Sequence, residues 1–91
     1  MKTYHINGLT FTADQIMAAI QSYQNRESKI QVIFTLMSTP EHVERGRLLN
    51  EYFADPSQET YKPIRDFYNK LTMKYAPYLD IILPMKIETL R

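Results

Sequence analysis

The stretch TYHINGLTFTADQ, residues 3–15, places two β-prone runs around Asn7-Gly8 and then passes directly into a helix start. Asn-Gly is the strongest short-range hairpin signal, because a type I′ turn needs positive φ at both central residues. Thr12 and Gln15 have the spacing of a capping box, in which each side chain bonds the other residue's backbone N–H. The sequence therefore predicts a hairpin followed at once by a helix over about residues 13–25.

The next segment, residues 29–37, is ambiguous. Its apolar side chains alternate from Ile30 to Leu36, which is typical of a strand. Polar residues also recur at three- and four-residue steps from Ser28 to Ser38, which indicates a narrow polar stripe on an otherwise apolar helix. We favour a buried helix, with a strand as the alternative.

Two further helices have clear start and stop signals. Ser38-Thr39-Pro40-Glu41 offers a hydroxyl cap, a first-turn proline and an acid near the positive end of the helix dipole. This helix should continue to about Ala54, where residues 55–57 (Asp-Pro-Ser) turn the chain. The last helix should begin near Pro63, or somewhat earlier with a kink there, and end before Pro77.

Apolar and polar residues alternate from Met85 to Thr89, as they do in an edge strand, and Pro84 immediately precedes them. A two-stranded hairpin is marginal by itself, so we expect this strand to pair with the hairpin. The predicted fold class is α+β, mostly helical, with an N-terminal β-hairpin, three or four helices and the C-terminal strand. Residues 1–91 should form a single small domain.

The composition limits the class of protein, its location and the partners it can attract. The chain is 44% hydrophobic and 23% charged, which is typical of a globular protein. It has no cysteine, and its start lacks the apolar run of a signal peptide, so we expect a cytoplasmic protein without membrane association. A net charge of +1 provides no global field to attract a polyanion.

The sequence contains few candidate catalytic, metal-binding or phosphate-binding residues. Two isolated histidines, His5 and His42, offer no metal-ligand or catalytic spacing. Gly8 and Gly46 are the only glycines, which excludes a glycine-rich phosphate loop. We therefore predict no enzymatic activity, no cofactor and no metal. Asp80, among apolar neighbours, is a candidate buried carboxylate, although an Asx turn is favoured.

Residues 61–78, YKPIRDFYNKLTMKYAPY, concentrate five aromatic and four basic side chains. A base-stacking platform needs exposed rings, whereas a helical core stripe buries them. At 100° per residue, the apolar and aromatic side chains share one stripe while the basic ones scatter, so we favour a core role. The stripe comprises Tyr61, Ile64, Phe67, Tyr68, Leu71 and Tyr75. Tyr78 lies beyond Pro77 and outside this stripe.

Arginine 45 lies over the apolar face of its helix, which also carries Leu48, Leu49, Tyr52 and Phe53. Its stem could cover the core while its head reaches solvent or Glu41, or its guanidinium could face a ligand anion or a partner carboxylate. The candidate binding residues are Arg45, Arg65, Lys62 and Tyr78.

The opening YHINGLTFTADQIMAAI, residues 4–20, resembles the hairpin-then-helix beginnings of many small phage-encoded accessory proteins. The resemblance covers under a fifth of the chain, and those proteins have unrelated functions. It implies an accessory protein that binds and modifies a host activity, and it carries over no functional residue.

Our leading hypothesis is a non-enzymatic binding protein that modulates or inhibits a protein partner. The alternative is a small nucleic-acid or nucleotide binder with a basic, tyrosine-containing surface. We also predict a homodimer or larger assembly, because a short chain without disulfides has apolar surface left over.

Overall fold

A computed structural model of the chain describes residues 2–90. These residues form a two-stranded hairpin and five helices, so the mostly helical α+β prediction is confirmed, although three or four helices were expected. In chain order, the elements are β1 Thr3–Ile6, β2 Leu9–Thr12, α1 Ala13–Gln24, α2 Lys29–Phe34, α3 Thr39–Ala54, α4 Gln58–Ile82 and α5 Ile87–Leu90.

The hairpin and α1 follow the local sequence signals closely. Asn7 and Gly8 have φ values of 44° and 89°, as a type I′ turn requires. Both bonds of the predicted capping box are present between Thr12 and Gln15, at 3.0 and 2.8 Å. At its other end α1 closes with Arg26 in the left-handed region, at φ 61°, which is the backbone conformation of a Schellman cap.

The ambiguous segment is helical, as we favoured, and forms α2. Val32 and Ile33 are adjacent in sequence and both fully buried, because α2 packs against α1 on one side and α4 on another. Consecutive residues lie about 100° apart around a helix, so each can face one of these two neighbours, whereas on a strand they would point to opposite faces. The alternation from Ile30 to Leu36 results from this burial on several sides.

The main core lies between the hairpin, α1, α2, the second half of α4 and α5. Its buried members are apolar and aromatic side chains from every one of these elements and from the connection after α2: Phe11, Ile16, Ala19, Ile20, Val32, Ile33, Leu36, Met37, Leu71, Tyr75, Leu79, Ile82 and Leu90.

Helix α3 and the first half of α4 form a helical hairpin that projects from this core. Within α3 only Leu48 is fully buried, and it lies outside the main cluster together with Ile64 of α4. The chain measures 45 × 25 × 19 Å, and its radius of gyration is 14.5 Å. A compact domain of this length would have a radius of gyration of about 12 Å, so the projection makes the protein elongated.

Helix α4 starts before Pro63, as one of the two alternatives predicted, but the expectation that it stops before Pro77 is wrong. It begins at Gln58, after the cap at Ser57, and continues through Pro63 and Pro77 to Ile82. A proline removes one backbone hydrogen bond and commonly kinks a helix. Burial of Leu79 and Ile82 on the same stripe as Leu71 and Tyr75 offsets that loss.

The predicted C-terminal strand is also wrong. Residues 87–90 form the short helix α5, and the sheet among residues 2–90 contains β1 and β2 alone. Leu90 is 3% exposed and packs into the core beside α1, whereas the predicted strand ends at Thr89 and does not include it. Ile87 and Leu90 are three residues apart, which brings both toward the core on a helix but to opposite faces of a strand.

Candidate functional site

The free end of the α3–α4 hairpin carries a cluster of exposed aromatic rings. Tyr52 lies 6.0 Å from Phe53 and 6.1 Å from Tyr61, measured between ring centroids. Phe53 is 71% exposed and Tyr61 is 51% exposed. Together with Arg65, these aromatic residues make up a surface that we call the tip.

A shallow depression at the tip has one charged group in its lining. Arg65 lines it together with Tyr52 and Tyr61, and the other lining residues are uncharged: Pro56, Ser57 and Gln58. The Arg65 side chain is 56% exposed, and its nearest acid, the neighbouring Asp66, lies 3.9 Å away. This guanidinium is therefore accessible to a carboxylate of another molecule.

Phe53 and Tyr61 correct the sequence interpretation in the same way. The residue spacing puts Phe53 on the apolar face of α3 and Tyr61 in the core stripe of α4, yet both are exposed because the hairpin extends beyond the core. The signal that could have located them is the Asp-Pro-Ser turn at residues 55–57, which places both rings at the end of a two-helix projection.

Arg45 has a structural setting different from the one expected. Its guanidinium carbon lies 4.1 Å from the ring centroid of Phe34 in α2, and its Nε donates a hydrogen bond to the Tyr68 hydroxyl in α4 at 3.3 Å. The side chain does not reach Glu41, which has other partners. Arg45 thus joins α2, α3 and α4.

The other two sequence candidates lie far apart. Lys62 is exposed in the first half of α4, beside the tip. Tyr78 lies in the second half, where its ring packs edge-on against Phe11 at 5.5 Å and its hydroxyl donates to the Asn7 carbonyl at 2.7 Å. Sixteen residues of helix separate Lys62 from Tyr78 by about 24 Å. Lys62 and Arg65 are therefore one turn apart in the first half of α4, Tyr78 lies in its second half, and Arg45 lies in α3 against Tyr68.

Glu41 is the centre of a polar cluster on the seam between α3 and α4. It bonds the Ser38 backbone N–H at 2.9 Å, the Lys74 ammonium at 2.9 Å and the Tyr75 hydroxyl. Burial alone would raise the pKa of Glu41, but the bonds from Tyr75, Ser38 and Lys74 outweigh it and lower the pKa to about 2. Burial, followed by the bond to Glu41, raises the pKa of Tyr75 to about 12.

A second surface feature, which sequence reasoning missed, is an apolar groove between α1, α2 and the second half of α4. It has a volume of about 800 Å³. Two of its lining side chains are conspicuously exposed, Tyr23 at 59% and Met73 at 80%. The remaining lining residues comprise three charged groups and five uncharged ones: Glu27, Lys29 and Asp80, then Val32, Ala76, Pro77, Leu79 and Leu83.

The residues considered for catalysis form no constellation. His5 shares a hydrogen bond of 2.8 Å with Thr10 across the hairpin, and His42 is exposed in the first turn of α3. Asp80 is exposed at the groove, not buried. Within residues 2–90, no group of three or more histidine or acidic side chains could hold a metal ion.

The described part of the chain contains no helix that is both long enough and apolar enough to cross a membrane. Comparison with known proteins gave no match to a family model, a curated protein or a solved structure.

Proposed function

We propose that this chain is a non-enzymatic binding protein that docks its tip into a protein partner and covers the surface it occupies. The observation that supports the proposal is the pair of exposed rings, Phe53 and Tyr61, at the end of a projecting helical hairpin. Aromatic residues with a nearby arginine dominate the energetics of many protein interfaces. A projecting element can also enter a concave site that a compact surface could not reach.

The tip defines the chemistry of its partner. The exposed rings require an apolar cleft, and Arg65 requires a carboxylate at the rim of that cleft. Removing an aromatic anchor from the centre of such an interface typically costs 2 kcal/mol or more. We therefore expect an acidic-rimmed apolar cleft on the partner, and inhibition follows when that cleft is the partner's own functional site.

The cellular setting belongs to the same proposal. We place the protein in the cytoplasm, and the phage-like opening makes a host factor the proposed partner. Self-association of the chain is proposed as well.

Nucleic-acid or nucleotide binding is the second candidate, because Tyr61, Lys62 and Arg65 put a ring beside two cations. Asp55, Glu59 and Asp66 lie in the same part of the hairpin and weaken its attraction for phosphate. Protein binding is therefore the better supported of the two.

The test is affinity capture from host lysate, with and without nuclease treatment, with three versions of the chain. Wild type and Val43→Ala should retain the same partner, and Phe53→Ala/Tyr61→Ala should lose it. Val43 is a matched control because it is 67% exposed on the same helix but does not line the tip.

A partner that all three versions retain equally would refute a tip-directed function. Capture that disappears on nuclease treatment, or binding that weakens steeply with salt, would identify the nucleic-acid alternative instead.

A further inference from the structure

The apolar groove has the two features that the tip requires of a partner, an apolar floor and carboxylates at its rim. Its floor is apolar, and its rim carries Glu27 and Asp80 against Lys29. The depression at the tip has Arg65 as its one charged lining residue. The lining residues of the two surfaces are therefore complementary in apolarity and in charge, and the acids of the hairpin end, Asp55, Glu59 and Asp66, lie outside the lining of the tip.

The two surfaces also lie on the same side of α4. Arg65 and Ala76 are eleven residues apart, which on a helix is about 16 Å along the axis and a rotation of only about 20°. A tip and its own groove are too far apart on one rigid helix to meet. Two chains with antiparallel α4 helices, however, would bring each tip to the other chain's groove.

We propose that the chain forms a two-fold symmetric dimer in which the tip of each copy occupies the groove of the other. The symmetry axis passes near Asn69 and Thr72, midway between tip and groove. Asn69 is exposed and Thr72 is partly exposed, and both side chains are short, so the two helices can approach closely there. Because both contacts form at once, the assembly closes at two copies.

The exposed surface supports an assembly of this size. The chain exposes 6212 Å², whereas a compact monomer of its mass exposes about 5,500 Å². The excess of roughly 700 Å² is close to the ~800 Å² that each partner buries in a standard protein interface. Phe53, Tyr61, Tyr23 and Met73, the most exposed apolar residues of the two surfaces, would all become buried.

The dimer goes beyond the proposed partner binding because it uses the groove as well as the tip. It also covers the tip, so a second copy and a protein partner compete for the same rings. Partner capture should therefore decrease as the concentration of the chain rises into the range where it dimerises.

A charge exchange between Arg65 and Asp80 tests the arrangement in the full chain. Sedimentation equilibrium of wild type over micromolar concentrations should show a monomer–dimer equilibrium. Arg65→Glu alone and Asp80→Arg alone should each dimerise at least about tenfold more weakly, because each places like charges together at both contacts. An equimolar mixture of the two variants should dimerise as wild type does, since both contacts in the mixed dimer are again complementary.

Three outcomes would overturn the proposal: a wild-type chain that stays at 10.8 kDa, variants that dimerise as wild type does, or a mixture that fails to recover. Assemblies that grow beyond two copies would refute the two-fold closure. Asp80→Arg leaves the tip intact, so partner capture by this variant separates the two proposals. Capture that persists in a monomeric Asp80→Arg chain would support partner binding by the tip independently of the dimer.

Discussion

Replacing Glu41 with glutamine should weaken the α3–α4 seam while keeping the capping box at the start of α3. Glutamine preserves the shape of the side chain and can still complete a capping box with Ser38. It removes the charge that faces the Lys74 ammonium at 2.9 Å and the Tyr75 hydroxyl. The experiment therefore isolates the contribution of a carboxylate at this position.

The size of the effect follows from the pKa. A fall in the pKa of Glu41 from 4.5 in the unfolded chain to about 2 in the folded chain corresponds to an upper limit of about 3.4 kcal/mol of stability. The Glu41 side chain is 18% exposed and that of Lys74 is 43% exposed, so solvent screening reduces this limit. We expect Glu41→Gln to lose about 1–2 kcal/mol at pH 7, with the Tm falling by roughly 4–8 °C per kcal/mol.

The pH dependence has a definite sign. Because the folded pKa of Glu41 lies below its unfolded value, its stabilisation is fully present above pH 4.5 and is lost as the pH falls toward 2. The difference in unfolding free energy between wild type and Glu41→Gln should therefore shrink progressively between about pH 5 and pH 2.

Urea unfolding followed by circular dichroism at several pH values measures this difference. Glu44→Gln is the matched control, because Glu44 lies in the same helix and bonds only the exposed Arg47, which keeps Glu51 as a second partner. The control should unfold as wild type does. An unchanged Glu41→Gln at pH 7, or a deficit that stays constant down to pH 2, would refute the reasoning.

Three further predictions concern single positions. Arg26→Gly should stabilise the chain by about 1 kcal/mol, measured by urea unfolding, because glycine adopts the left-handed cap at φ 61° without steric cost; a loss of stability would contradict this. The same change to alanine should have opposite effects at two glycines. Gly46→Ala should gain up to about 1 kcal/mol inside α3, where an added Cβ meets no atom within 4 Å, and Gly8→Ala at φ 89° should lose about 1 kcal/mol. Arg45→Ala should lose about 1–2 kcal/mol by breaking the contacts to α2 and α4, whereas Arg65→Ala should leave the Tm unchanged; equal Tm values for both would disprove the structural role of Arg45.

Residue spacing revealed the aromatic stripe of α4 but not its limits. Ile64, Leu71 and Tyr75 are buried as the helical period predicts. Tyr61 follows the same period but is exposed, because it lies at the free end of the hairpin, outside the main core. The helical period of the apolar residues indicates which of them share a face. Only the packing of other elements against the helix decides where along its length that face is covered.

The candidate site shows the same division. Arg65 and Lys62 could be named from the sequence, but their neighbours on α3 could not, because these come together only when two helices pack. The groove was invisible to sequence reasoning, since its lining comes from three helices that are distant in the chain.

The sequence by itself determined the elements whose signals lie within a few residues. The Asn7-Gly8 turn, the caps at Thr12 and Ser38 and the start of α3 are local hydrogen-bond and backbone preferences, and they hold whatever surrounds them. Tertiary structure decided the elements in which local preference opposed burial. Helix α4 continues through Pro77, and residues 87–90 are helical, because the apolar surface that Leu79, Ile82 and Leu90 bury in the core outweighs a lost backbone bond and an alternating pattern.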